Sequence, residues 1–127
     1  MAEVDTHSVL YVEDDPDFRE AVEAMLEEGG YQVEAVATAE AGLAAFQAHR
    51  PDAVLLDLML EEVDSGVTLA TRIRALDREV PILLLTSVGD ALMAAQDWGQ
   101  LGVTGVLQKP INADTLRMVI RNAQRSA

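Results

Sequence analysis

Apolar residues arrive in short runs that stop abruptly at polar side chains, and each run is followed by a stretch whose apolar positions recur at helical spacing. The first run, Val9-Leu10-Tyr11-Val12, stops at Glu13-Asp14-Asp15-Pro16. This predicts a strand running into a helix: Asp15 is a good N-cap, and Pro16 suits the first helical position, where its missing N–H costs nothing. Phe18, Val22, Met25 and Leu26 follow at helical spacing, and Gly29-Gly30 ends the segment as a left-handed cap would. The unit then repeats. Tyr31 to Val36 reads as a strand with Val33 and Ala35 on one face, and Thr38 caps a helix with Leu43 and Phe46 among its apolar positions, closed by Pro51. Ala53-Val54-Leu55-Leu56 shows no alternation, as expected of a strand buried on both faces, and stops at Asp57. After the loop Leu58 to Ser65, Leu69, Ile73 and Leu76 mark a third helix. Ile82-Leu83-Leu84-Leu85 form a fourth strand ending at Thr86, and Ala91 to Leu101 a fourth helix stopped by Gly102. Gly105 to Gln108 make a short fifth strand ending at Lys109-Pro110. Leu116, Ile120 and Ala123 share one face of a last helix capped by Asn112 or Asp114.

Five strands alternating with five helices in 127 residues predict an α/β fold in one domain: a doubly wound parallel sheet with right-handed crossovers and helices on both faces. In such sheets ligands collect at the carboxyl ends of the strands, near the point where strand order reverses. Those ends carry Glu13 and Asp14, Asp57, Thr86 and Lys109.

Composition adds exclusions. Twenty-two acids against nine bases give a formal net charge of -13, which works against attraction to nucleic acid or an anionic membrane. The excess is localised: residues 1 to 64 hold 17 acids and 2 bases, and residues 65 to 127 hold 5 acids and 7 bases. The absence of cysteine excludes a disulfide framework, a thiolate metal site and a cysteine nucleophile, and fits a cytoplasmic protein. The chain opens without a basic and apolar leader, and no apolar run approaches the ~20 residues that span a bilayer. Lys109 is the one lysine among nine bases.

Three carboxylates, a hydroxyl and that lone ammonium therefore converge on one rim. Carboxylates this close need a counter-charge or a raised pKa. An all-oxygen donor set suits a hard divalent cation such as Mg²⁺ better than zinc, with Mn²⁺ as the substitute. With the cation and Lys109 offsetting charge, Asp57 can act as a nucleophile toward a phosphoryl group, and Thr86 can donate to a phosphoryl oxygen. Each residue also has a plain structural use. Asp14 and Asp15 suit any helix start, Asp57 and Thr86 suit any strand end, and Lys109 suits a solvated loop; jointly, at four strand ends, those uses require a coincidence. His7 and His49 do not look like phosphotransfer histidines, and Trp98 fits either the core or a partner surface.

The motifs Val12-Glu13-Asp14-Asp15, Leu55-Leu56-Asp57-Leu58-Met59-Leu60, Leu84-Leu85-Thr86-Ser87 and Gln108-Lys109-Pro110 stand in the order and spacing of a response-regulator receiver domain of two-component signalling, which the chain resembles over about residues 7 to 124. The resemblance implies a flavodoxin-like sheet of order 2-1-3-4-5. It implies phosphorylation of Asp57 by the phosphohistidine of a sensor histidine kinase or histidine phosphotransfer domain. Mg²⁺ would be held by Glu13, Asp14, Asp57 and the backbone carbonyl of Met59, with Thr86 as switch hydroxyl, Lys109 as phosphoryl contact and Pro110 often cis. A downstream protein would dock on the face formed by the fourth predicted helix, the fifth strand and the last helix. The domain would be a monomer or a phosphorylation-dependent dimer that catalyses its own phosphorylation and dephosphorylation without being a turnover enzyme.

Two departures stand out. Val106 occupies the place of the family's switch aromatic, so output has to travel through the Thr86 loop, the fourth helix or a repacked Val106. The loop after Asp57 carries Glu61, Glu62 and Asp64, a charge expected to slow small anionic phosphodonors relative to a docked protein donor. The competing readings are a pseudo-receiver acting as a constitutive binding module and a Mg²⁺-dependent phosphohydrolase. Against the enzyme, Asp57-Leu58-Met59 lacks a second acid two residues on. The sequence up to residue 127 reads as a stand-alone regulator or as a domain cut from a larger protein, the first being the expectation.

Overall fold

The computed structural model describes residues 7–57, 65–86, 102–109 and 111–126. The predicted helix over 91–101 with Trp98, the loop residues Met59, Glu61, Glu62 and Asp64, and Pro110 lie outside the described residues. The elements in chain order are β1 (Ser8–Val12), α1 (Pro16–Glu28), β2 (Gln32–Val36), α2 (Ala39–Ala48), β3 (Ala53–Asp57), α3 (Ser65–Leu76), β4 (Ile82–Thr86), β5 (Gly105–Gln108) and α4 (Ala113–Ser126). All five strands run parallel in the order β2-β1-β3-β4-β5. That is the order the resemblance implies, with the reversal falling between β1 and β3.

Alternation along the strands divides the core. Leu10, Val12, Val54, Leu56, Ile82 and Leu84 face α2 and α3, meeting Phe46, Leu69, Ala70 and Ile73. Val9, Tyr11, Ala53, Leu55, Leu83 and Leu85 face α1 and α4, meeting Val22, Leu26, Leu116 and Ile120. Both faces of β3 and β4 are covered, which is why these strands read as unbroken apolar runs. Gly42 lets α2 close on β1: a Cβ there would lie 2.9 Å from Val12 Cγ2.

The helix starts follow from capping chemistry. Asp15 Oδ1 accepts from the backbone N–H groups of Asp17 and Phe18, and Thr38 Oγ1 accepts from that of Ala41. Asn112, rather than Asp114, caps α4, accepting from Asp114 N at 2.8 Å and Thr115 N at 3.2 Å. At the end of α1 the left-handed residue is Gly30, with φ 93°. Of the apolar positions that mark α3, Leu69 and Ile73 are core together with Ala70, whereas Leu76 in the last turn is 43% exposed. A three-four spacing marks a stripe but does not tell where the covered surface ends.

Two side chains organise the sheet end opposite the strand carboxyl ends. Arg74 of α3 donates to the carbonyl of Gly102 through Nε (3.0 Å) and Nη2 (2.6 Å), and to that of Asp77 through Nη1 (3.0 Å). Gly102 has φ 81°, and a Cβ there would lie 2.7 Å from the Arg74 side chain, so the grip requires glycine. Asp77 closes the turn after α3: its Oδ1 accepts from Glu79 N at 2.8 Å and Val80 N at 3.0 Å, and its Oδ2 meets Arg50 at 3.4 Å. The Glu79 amide first, then the Val80 amide and the nearby arginines, hold its carboxyl below the usual range against the opposing effect of burial. A carboxyl with a depressed folded pKa stabilises the fold above its unfolded pKa and loses that contribution as pH falls through the folded value. Asp77→Ala is therefore expected to cost about 1 kcal/mol at pH 7, roughly 3–6 °C in Tm. In paired thermal melts the gap to wild type narrows as pH drops below 4; a gap that persists at pH 2 would contradict the assignment.

Candidate functional site

The strand carboxyl ends place the predicted residues together. Glu13 follows β1 and its backbone N–H still donates to Val36 O at 3.0 Å, so the ladder with β2 fixes its position. Asp57 is the last residue of β3 and Thr86 the last of β4. Lys109 follows β5, and its backbone N–H donates to Thr86 O at 2.7 Å, one rung beyond the Thr86–Gln108 pair. Glu13, Asp57 and Thr86 are the buried polar side chains among the described residues, at 0%, 5% and 3% exposure. Asp14 is exposed at the rim. Met59 lies outside the described residues.

Buried carboxylates on adjacent strands repel, and Lys109 answers them. Its Nζ lies 3.0 Å from Glu13 Oε1 and 3.2 Å from Asp57 Oδ2. Glu13 is pushed up to about 7, by burial first and by Asp57 second, with Lys109 opposing. Burial alone would lower the Lys109 ammonium, but Glu13 and Asp57 outweigh it and the net shift is upward. One carboxylate oxygen from each of Glu13, Asp14 and Asp57 can be chosen so that all lie within 4.8 Å of one another. Three hard oxygen donors at that separation, one reaching solvent, could hold a divalent cation.

Three residues of this site were not singled out by sequence reasoning. Tyr11 is fully buried, and its hydroxyl donates to Glu13 Oε1 at 3.2 Å. Burial first and the Glu13 charge second push its phenol far up, so it stays protonated as a donor. Arg19 Nη1 donates to the Glu13 backbone carbonyl at 2.9 Å. Phe18 presents its ring face to Lys109, with Nζ 4.4 Å from the centroid. The available signal was spacing: Tyr11 is two residues before Glu13, which continues the extended chain of β1, hence on one side, and Phe18 and Arg19 lie in the first turn of the helix that follows.

Against known proteins, the family model for the response regulator receiver domain matches residues 9–121. The chain belongs to that family. As a receiver domain it is 39% identical over 125 residues to the transcriptional regulatory protein CseB of Streptomyces avermitilis, covering 98% of this chain and 51% of that protein. It is 36% identical over 117 residues to the C4-dicarboxylate transport transcriptional regulatory protein DctD of Rhizobium meliloti, covering 92% of this chain and 25% of that one. The receiver thus spans about half of the first relative and a quarter of the second. Among solved structures, a putative response regulator from Chloroflexus aurantiacus superposes with TM-score 0.83 at 33% identity, covering 94% of this chain and 98% of that one. The chemotaxis response regulator CheY4 of Vibrio cholerae superposes with TM-score 0.82 at 28% identity, covering 93% and 98%. Receivers of two-component systems are generally signalling modules rather than turnover enzymes, and they bind Mg²⁺ through acidic residues. At the position of the departure noted in the sequence, Val106 of β5 is 37% exposed. Among the described residues no helix is long and apolar enough to cross a membrane.

Proposed function

We propose that this receiver accepts a phosphoryl group on Asp57, and that Glu13, Asp14 and Asp57 hold the Mg²⁺ that supports the transfer, with Mn²⁺ as substitute and the Met59 carbonyl as a further donor. The observation that carries the reading is the Glu13–Lys109–Asp57 arrangement: two buried carboxylates on neighbouring strands share one ammonium at the topological switch point. The donor set fits the cation, being three carboxylates within reach of one another. Bound there, Mg²⁺ supplies positive charge against the developing phosphoryl oxygens.

The chain's own residues do the rest. An Asp57 carboxylate oxygen attacks the phosphorus of a partner's phosphohistidine; the new P–O bond forms as the P–N bond breaks, and the imidazole leaves and takes up a proton. Lys109 Nζ, 3.2 Å from Asp57 Oδ2, pairs with a phosphoryl oxygen. Thr86, one strand over, donates to another. Its inward draw biases the loop after β4 and the face carrying β5 and α4, where a downstream protein docks. With valine at 106, no ring rotation is available to report the change. The partners are a sensor histidine kinase or histidine phosphotransfer domain and a protein target, in the cytoplasm. Neither nucleic acid nor lipid is expected to bind this acidic surface directly.

Beryllofluoride, a phosphoryl mimic, tests the reading. Binding should require Mg²⁺ and vanish in Asp57→Ala, as read by perturbation of the single tryptophan, Trp98, or by amide shifts at Thr86 and Lys109. Mg²⁺-independent binding, or none, favours a pseudo-receiver.

A further inference from the structure

Among the described residues, the Lys109 ammonium meets two carboxylates and one aromatic ring. The ring is that of Phe18, 4.4 Å from Nζ to ring centroid, a distance at which the ring quadrupole attracts a cation. The placement of that ring is itself built in. Phe18 lies in the first turn of α1, and its backbone N–H is bound by the Asp15 cap at 3.2 Å, so the cap that starts the helix also anchors the residue that faces Lys109. Phe18 is half-buried against the cluster that contains Tyr11 and Leu55, which limits where the ring can go.

We infer that Phe18 is a positioning residue for Lys109: its ring keeps the ammonium beside Asp57, and so sets how fast Asp57 is phosphorylated. The inference rests on the proposed role of Lys109 as phosphoryl contact. Its physical content is a choice among partners. An ammonium on a four-carbon stem is strongly hydrated and mobile, and two carboxylates alone fix its charge more than its position. The ring adds an attractive face without adding charge, so when a phosphoryl group arrives Nζ is already held by acceptors and by an apolar surface. A leucine at position 18 would fill similar space without the quadrupole; a tyrosine would keep it.

The experiment compares wild type, Phe18→Leu, Phe18→Tyr and Lys109→Ala, each phosphorylated by acetyl phosphate with Mg²⁺ under pseudo-first-order conditions, with thermal melts to show that each is folded. Phe18→Leu should slow phosphorylation about two- to fivefold, and Phe18→Tyr should restore the wild-type rate. In parallel, the ring current of Phe18 should shift the Lys109 ε-methylene protons upfield in wild type and Phe18→Tyr but not in Phe18→Leu. A Phe18→Leu rate equal to wild type, or a Phe18→Tyr rate as low as that of Phe18→Leu, overturns the inference while leaving Lys109 in its role. A Lys109→Ala rate equal to wild type defeats the reading of Lys109 itself, and the inference with it.

Discussion

Asp57→Asn is expected to reduce phosphoryl incorporation by at least a hundredfold, to below detection by intact-protein mass analysis, with either a phosphohistidine or a small acyl phosphate as donor. The substitution is close to isosteric, and the β3 ladder that places the residue depends on backbone pairing with β1 and β4 rather than on the carboxylate. What it removes is the charged nucleophile and one of three clustered oxygen donors. An amide is a poor nucleophile, and losing a group that forms the covalent bond leaves no residual route. The wild-type product should be an acyl phosphate, labile to hydroxylamine. Retained incorporation in the variant, stable to hydroxylamine, would move the acceptor away from Asp57. Mg²⁺ affinity should fall in the same variant, measured by titration without any donor, because a neutral oxygen replaces an anionic one.

Glu13→Gln is expected to stabilise the metal-free protein at neutral and alkaline pH. The unfolded-state carboxyl ionises near 4.5, whereas in the fold it holds its proton to about 7. Below 4.5 both states are protonated and the group contributes nothing. Between 4.5 and 7 the unfolded chain releases a proton that the folded one keeps, so stability falls as pH rises; above 7 the full cost remains. That cost is on the order of 3 kcal/mol. Glutamine keeps an oxygen for Tyr11 and Lys109 but cannot ionise. In denaturant titrations with chelator present, the variant should gain over wild type at pH 8 and match it at pH 4. Parallel pH profiles would sink the argument. The same variant should bind Mg²⁺ more weakly, so the residue costs stability where it is proposed to serve the cation, as expected of a site whose charges await a ligand.

The fold was legible because its strands announce themselves twice, by a buried run and by the polar residue that ends it. Val54 to Leu56 followed by Asp57, and Leu83 to Leu85 followed by Thr86, are of this kind. The same rule located the candidate site, since the residues that end strands in a parallel sheet are those at its functional edge. Where several residue types suit one job, the chain alone does not choose: Asn112 and Asp114 both cap helices well, and only the backbone shows which one precedes the first turn. Side chains with two uses were read by the commoner one. Tyr11 sits inside an apolar run and Phe18 at a helical apolar position, so both read as core. Both are core, but each also turns one polar or aromatic feature toward Glu13 or Lys109, and that depends on atomic direction rather than periodicity.

The grip of Arg74 on Gly102 has a bearing on chemistry at the far end of the sheet. Among the described residues β5 is an edge strand of four residues, paired with β4 alone, and Lys109 is the residue immediately beyond it. Each residue of strand advances roughly 3.3 Å, and a slip of one also turns every side chain to the opposite face. Such a slip would carry Lys109 away from both carboxylates and exchange Val106 with its inward neighbours. Gly102 is where the chain enters this short segment, and the guanidinium sets where counting begins. Arg74 thus acts as the zero of a ruler whose other end is an ammonium, giving a residue of α3 a hand in the accuracy of a site it never touches.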